Sequence, residues 1–313
     1  MYGRIVYNPT AGPRDAHREL HRVCEELRKH GWKVDVIPTK ESGDAERLAR
    51  GAAEAGMDVV WVAGGDGTVC EVVNGLVHSE TAMGVLPIGT GNIWAKQLRI
   101  PTYTLANPFR LREAALSQIK GGVRTVDAGR AGDRYFILWA GAGFDAMVTH
   151  ELEPRPRPVK RVGALAYIVA AFTLARDYSG VRTRVTMDGR TVRGRILLTL
   201  LSTVPNYAAF FQVSDQAQVD DGQLDVLLFK GLGYSYLLHH AAKIFSGRHL
   251  QDPKIIYRQV ETITIETESP VSVQADGDPL GKTPVTMSVV PRAVQVLVPP
   301  QAPSSLFSDK EEV

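Results

Sequence analysis

Asp58-Val59-Val60-Trp61-Val62-Ala63-Gly64-Gly65-Asp66-Gly67-Thr68-Val69-Cys70-Glu71-Val72-Val73-Asn74-Gly75-Leu76 is the stretch that decides how the first part of this chain folds. Asp58 to Ala63 is a short apolar run of strand length, the pattern of a strand covered on both faces. A glycine-rich turn follows, and Thr68 to Val77 then takes helical spacing. A strand that ends in glycines and opens directly into a helix is one β-α unit of a parallel sheet. Its ligand-binding backbone sits at the strand's carboxyl end.

The same alternation continues on both sides. Upstream lie a strand at Ile5-Val6-Tyr7, a helix from Ala16 to His30 with Leu20, Val23 and Leu27 on one face, a strand from Lys33 to Pro38 and a helix from Asp44 to Ala55. Downstream, Met83 to Leu86 reads as a strand and Asn107 to Ile119 as a helix. This order predicts an α/β domain, a parallel sheet with helices on both faces.

From Arg124 onward strand-like segments dominate: Arg124 to Arg130, Tyr135 to Ala140, Val181 to Met187, Arg193 to Thr203, Leu224 to Phe229, Val260 to Glu266, Val271 to Ala275, Val285 to Val290 and Ala293 to Val298. Asp188-Gly189 marks a hairpin turn between two of them. Two helices interrupt, Val162 to Arg176 and Tyr234 to Phe245. The expected organisation is an α/β domain over 1–122, a mainly antiparallel β-sandwich over 123–300 and a disordered polar tail over 301–313.

The length of 313 residues suits two domains, each with its own core. A formal net charge of +2 argues against nucleic acid as a partner. The two cysteines, Cys24 and Cys70, stand far apart, which argues against a disulfide framework and fits a reducing, cytoplasmic setting. The chain enters a strand at Gly3, so no signal peptide is expected. The longest apolar stretch, Gly163 to Ala175, falls short of the about 20 residues that cross a bilayer. The eight histidines show no ligand spacing, and His239-His240 is expected on a partly exposed helix surface. Cys70 is expected to be a small buried packing residue.

Three loops carry the chemistry: Asn8-Pro9-Thr10-Ala11-Gly12, Gly64-Gly65-Asp66-Gly67-Thr68 and Leu86-Pro87-Ile88-Gly89-Thr90-Gly91-Asn92. Backbone N–H groups reach a nucleotide's phosphates only where no Cβ stands in the way, and a following helix aims its positive end at the same charge. Each loop alone is equally a tight turn; three at successive strand ends point to a triphosphate. Asp66, between glycines, is poorly placed for packing and suited to act through a magnesium ion or a water.

Together with Gly141-Ala142-Gly143-Phe144-Asp145-Ala146, Asp220-Asp221-Gly222-Gln223-Leu224-Asp225 and Asp276-Gly277-Asp278-Pro279-Leu280-Gly281, these loops resemble the diacylglycerol kinase catalytic-domain family, which includes bacterial lipid kinases and the sphingosine and ceramide kinases. The likeness is collinear over nearly the whole chain. It implies an ATP- and Mg2+-dependent transfer of the γ-phosphate to a lipid hydroxyl, with the site between an ATP-binding domain and a lipid- and metal-binding β-domain. It also implies a cytoplasmic enzyme that contacts the membrane surface peripherally during turnover.

Carried over by position, Asn8, Pro9, Thr10, Ala11, Gly12, Thr39, Gly64, Gly65, Asp66, Gly67, Thr68, Val69, Cys70, Glu71, Thr90 and Asn92 line the ATP pocket. Asp276 is the general base, with Asp66 near the triphosphate's magnesium. Asp221, with backbone carbonyls of Gln218 and Gln223, holds a structural magnesium. The chain departs from the family at Asp278, where glutamate is common, at Cys70 in place of asparagine, and at Ile93-Trp94 in place of Asp-Phe.

Other readings stand beside these. Asp276-Gly277 and Asp220-Asp221-Gly222 are also turn dipeptides, and Asp145 suits a helix cap as well as a ligand. The basic run Arg155 to Arg161 reads as a solvated loop or a membrane-docking element. Functional alternatives are a lipid-binding protein that has lost catalysis and a kinase of NAD, which shares the Gly-Gly-Asp-Gly-Thr loop. The acceptor is open among diacylglycerol, sphingoid bases, phosphatidylglycerol and non-lipid alcohols, with Trp139, Phe144, Phe172, Phe210 and Phe211 as candidate pocket residues.

Overall fold

Short apolar runs form the parallel strands of the N-terminal unit, and two of them, Val59–Gly64 and Ala82–Pro87, are buried along their whole length. In the computed structural model, which describes residues 1–12, 16–102, 110–152, 173–176, 178–207 and 211–308, this unit comprises Met1–Asp127 and the segment from Arg292 onward. Its elements run β1 (Tyr2–Tyr7), α1 (His17–Lys29), β2 (Lys33–Pro38), α2 (Asp44–Glu54), β3 (Val59–Gly64), α3 (Asp66–Leu76), β4 (Ala82–Pro87), α4 (Ile93–Gln97) and α5 (Leu111–Ile119). Strand β1 pairs in parallel with β2 on one side and β3 on the other, and β3 pairs in parallel with β4.

That order contains a reversal. The chain moves from β1 outward to β2, then returns across β1 to β3. Right-handed crossovers therefore place α1 on one face and α2 on the other. The helices sort accordingly, α1 packing on α5 and α2 on α3. The crevice beyond the carboxyl ends of β1 and β3 is the topological switch point where such sheets take ligands.

The second unit, Ala128–Pro291, is antiparallel. Its elements are β5 (Gly122–Ala131, begun in the first unit), β6 (Arg134–Phe136), β7 (Trp139–Gly143), α6 (Phe144–Leu152), β8 (Val181–Met187), β9 (Arg190–Ser202), β10 (Asn206–Tyr207), β11 (Phe211–Gln212), β12 (Leu224–Lys230), α7 (Tyr234–Phe245), β13 (Ile255–Val260), β14 (Thr262–Thr267), β15 (Ser272–Ala275), β16 (Asp278–Lys282) and β17 (Val285–Val298), which ends in the first unit. Strand β9 is long enough to pair with β8 through its first half and with β7 and β12 through its second. Leu201, Leu224, Val226, Ile263 and Met287 lie in its core. Asp188 and Gly189 both take positive φ, the hairpin turn expected between β8 and β9.

Several boundaries differ from the sequence expectation, each for a visible reason. Tyr135 to Ala140 is not one strand, because the amides of Ile137, Leu138 and Trp139 bond the Asp276 carboxylate. Val260 to Glu266 breaks at Glu261, where the Asp188 carboxylate accepts the amides of Glu261 and Thr262. Val285 to Val298 is one strand instead of two. The first unit extends to Asp127, beyond the Gly122 boundary, and the chain returns to it at Arg292. The tail was expected to be disordered from residue 301, yet Ser304–Leu306 form a 3₁₀ turn that buries Leu306 and Phe307, with Arg124 stacked over the Phe307 ring at 4.6 Å. The expected basic run 155–161 and most of the helix 162–176 lie outside the described residues, as do Phe172 and Phe210.

Candidate functional site

The three glycine loops follow β1, β3 and β4 and are tied to one another. From the first, Asn8 donates through Nδ2 to the Thr68 hydroxyl of the second at 3.1 Å, bridging the switch-point crevice. Asn8 Oδ1 accepts the Thr10 amide and hydroxyl, both at 2.9 Å, which sets the loop's turn. Gly12 has φ of +77°, and a Cβ there would stand 2.0 Å from the Ile88 carbonyl oxygen. Gly89 approaches Gly65 so closely that a Cβ would lie 2.6 Å from its Cα. Only glycine lets these backbones meet.

Helix α3 starts at Asp66, two residues earlier than its apolar spacing suggests. The amides of Asp66, Gly67 and Thr68 therefore occupy its first turn, where no intrahelical carbonyl reaches them. Gly67 is exposed and Thr68 buried, while Val69 already bonds the Gly65 carbonyl at 3.1 Å. These first-turn amides and the helix dipole favour an anion at this end.

Asp66 corrects the expectation that it is poorly placed for packing. Its Oδ1 accepts the Ile93 amide at 2.6 Å, supplying the start of α4 with an acceptor. Burial pushes the Asp66 carboxyl above its ordinary range, against the pull of the Ile93, Asn92 and Trp94 amides. Asp66 thus braces the second loop against the third. Asn92 is buried, donating to the Gly89 carbonyl at 2.7 Å, whereas Thr90 is exposed. Glu71 turns toward α2, where its Oε2 accepts the Ala45 amide at 3.1 Å. It thereby braces the segment after β2 that begins with Thr39, whose amide bonds the Tyr7 carbonyl at 2.7 Å. Val69 and Cys70 are buried packing residues.

In the second unit, Asp276 and Gly277 both have positive φ and join β15 to β16, so the turn reading is correct. The Asp276 side chain does more. Its Oδ2 accepts the Ile137 amide at 2.8 Å, and its Oδ1 accepts Leu138 at 2.9 Å and Trp139 at 3.0 Å. These bonds fix the carboxylate's orientation. Behind the turn, Gln274 accepts the Gly277 amide at 2.9 Å and donates to Asp145 at 2.8 Å, and Asp145 also accepts the Tyr207 hydroxyl. Sequence reasoning missed Gln274 and Tyr207; nothing local in a strand glutamine marks such a link. Asp278 pairs with Arg134 at 3.4 Å.

Gln218, Asp221 and Gln223 share the loop before β12. Asp221 Oδ1 accepts the Gln223 amide at 2.9 Å, and Oδ2 accepts Gln259 Nε2 at 3.3 Å. Just beyond, Asp225 is buried; its Oδ1 accepts Ser214 at 2.6 Å and the Tyr257 hydroxyl, while its Oδ2 has no partner among the described residues. Burial raises the Asp225 carboxyl, with the Asp215 charge acting in the same direction. The Asp221 carboxylate and the backbone carbonyls of its loop are oxygen donors of the kind a hard cation takes.

Comparison with known proteins adds the decisive finding. The family model described as the diacylglycerol kinase catalytic domain matches residues 3–131. That of the YegS C-terminal NAD kinase beta sandwich-like domain matches residues 139–298. A diacylglycerol kinase of Staphylococcus aureus (strain MRSA252) is 31% identical over 299 residues, 95% of this chain and 92% of that protein. This chain belongs to the diacylglycerol kinase family. It is therefore an enzyme of the kinase type, with the N-terminal α/β domain and antiparallel β-sandwich domain of that family. A crystal structure of a diacylglycerol kinase from Bacillus anthracis str. Sterne superposes with a TM-score of 0.71 at 22% identity, covering 96% of this chain and 98% of that one. A further chain from the same organism reaches 0.78 at 24% identity with the same coverage. Both likenesses concern the fold. The kinase has no helix, among its described residues, long and apolar enough to cross a membrane.

Proposed function

We propose that this kinase transfers the γ-phosphate of ATP to a lipid hydroxyl. The observation that carries the reading is the set of three interlocked, glycine-dependent loops at the carboxyl ends of β1, β3 and β4, held by Asn8–Thr68 and Asp66–Ile93. Phosphoryl transfer asks mainly for in-line positioning and cancellation of charge. Asn8 to Gly12, the first turn of α3 and Thr90 supply donors to the triphosphate. Asp66 keeps the second and third loops in register, so its contribution to catalysis includes the placing of those donors.

Asp276 accepts the hydroxyl proton as the phosphoryl group moves. Its support is the amide cradle, which orients the carboxylate, and the Gln274–Asp145–Tyr207 chain behind it. Magnesium, when bound at the Asp221 loop, would supply positive charge to a half-buried acidic loop through Asp221 and the carbonyls of Gln218 and Gln223.

A lipid acceptor requires contact with a membrane surface, and α7 offers a candidate. Tyr234, Leu238 and Phe245 lie along one stripe of this helix and are exposed, Phe245 at 68%, with exposed Leu232 just ahead. An apolar stripe on a surface helix suits the interfacial layer of a bilayer. The test is phosphorylation of a total lipid extract with γ-labelled ATP and magnesium, resolved by chromatography. Label in a lipid band supports the reading; ATP turnover with label only in inorganic phosphate or in a soluble nucleotide overturns it.

A further inference from the structure

Helix α7 carries His239 and His240 side by side, with no ligand spacing to other histidines along the chain. The fold brings a third group to them. Asp252 lies between the 3₁₀ turn His249–Gln251 and β13, and its Oδ2 hydrogen-bonds His239 Nε2. One ligand atom from each of His239, His240 and Asp252 lies within 4.8 Å of the others. Contrary to the sequence expectation, His240 is 3% exposed, packed edge-on against the Phe229 ring at 5.4 Å.

The protonation of His240 follows from geometry. Its Nε2 is 2.8 Å from the Lys230 carbonyl oxygen, which only accepts, so Nε2 carries the hydrogen. Nδ1 is then a bare lone pair, buried and without a partner among the described residues. A buried acceptor without a donor is uncommon and calls for a group that takes its lone pair.

We propose that His239, His240 and Asp252 bind one divalent metal ion of the zinc class. Two imidazole nitrogens and one carboxylate oxygen form a donor set suited to zinc and poorly suited to magnesium. The supporting shell is already built. The Lys230 carbonyl fixes the His240 ring through Nε2–H, and the Lys254 amide holds Asp252 Oδ1 at 2.9 Å, leaving Oδ2 for the ion. The Lys254 ammonium sits over the Tyr236 ring, 4.6 Å from its centre.

The ion takes the place of the hydrogen between His239 and Asp252, and His239 binds as its Nδ1–H tautomer. Donor atoms must close to the edge of a tetrahedron, about 3.3 Å for bonds of about 2.0–2.1 Å. Lys243 acts on Asp252 and Lys254 on His240 as neighbouring cations, so affinity is expected below that of a zinc finger. Three protein ligands leave one position for water. The bound ion would staple α7 to the turn before β13, independently of how the kinase reads its substrates.

The experiment uses the full chain, stripped with a chelator and dialysed. Zinc titration by calorimetry is expected to show one equivalent bound with a dissociation constant below about 100 µM, and cobalt(II) a visible absorption band typical of a four-coordinate site. His240→Gln, Asp252→Asn and His239→Gln should each weaken binding at least about tenfold. The other adjacent pair, His17 and His21 on α1, with ring centres 4.7 Å apart, serves as control, and H17Q/H21Q should bind as the parent does. Absence of saturable binding, binding that survives His239→Gln, or binding lost in the α1 control overturns the proposal. If the buried His240 variant does not fold, the half-exposed His239 position carries the test.

Discussion

Replacing Asp276 by asparagine tests both the cradle and the base. Asparagine tolerates the positive φ of this position, so the turn itself is not the source of strain. The side-chain amide settles with its oxygen toward Leu138 and Trp139, because the opposite flip would face two N–H donors instead of one. Its NH2 group then confronts the Ile137 amide, which is buried and loses its acceptor. Hydrogen bonds to a charged acceptor contribute about 1.5–3 kcal/mol, neutral ones about 1 kcal/mol, and a stranded buried donor costs about 1–3 kcal/mol. The sum is a loss of about 3 kcal/mol or more. At about 2–4 °C per kcal/mol for a unit of this size, the melting temperature should fall by about 6–12 °C. Thermal denaturation followed by circular dichroism measures this, and turnover at saturating ATP is read well below the transition. Loss of a general base predicts a fall in kcat of about 10²–10⁴-fold. An unchanged melting temperature would refute the amide cradle. Near-normal turnover in a folded variant would remove Asp276 from proton transfer.

Three further outcomes are expected. Gly12→Val places a Cβ against the Ile88 carbonyl at a φ hostile to branched residues, and should raise KM for ATP at least about tenfold with KM for lipid unchanged; steady-state kinetics with each substrate varied would expose an error. The folded chain holds the Asp225 proton more firmly than the unfolded chain, so the stability linked to it is complete below about pH 3.9 and declines as pH rises through the raised folded value. Without magnesium, the melting temperature of Asp225→Asn relative to the parent should therefore become more favourable from about pH 4 to pH 8, and a constant difference would contradict the burial argument. Leu238→Glu with Phe245→Glu on α7 should weaken sedimentation with lipid vesicles at least about tenfold, whereas equal sedimentation would move the membrane contact elsewhere.

The sequence by itself determined the features that depend on neighbours along the chain. The strand at Val59–Gly64, the Asp188-Gly189 and Asp276-Gly277 turns and the amphipathic helix at His17–Lys29 follow from periodicity and backbone preference within a few residues. The glycine loops were legible for the same reason, since close backbone approach demands glycine wherever it occurs.

What the tertiary structure alone decided rests on contacts between distant residues. Asp66 meets the Ile93 amide 27 residues away, and Asp276 gathers three amides nearly 140 residues away, breaking a strand that local propensity favoured. His239-His240 looked like helix surface because the sequence does not say which face the chain will cover; Phe229, the Lys230 carbonyl and Asp252 decide that. A polar side chain announces what it is able to bond, and the fold alone determines which partners come within reach.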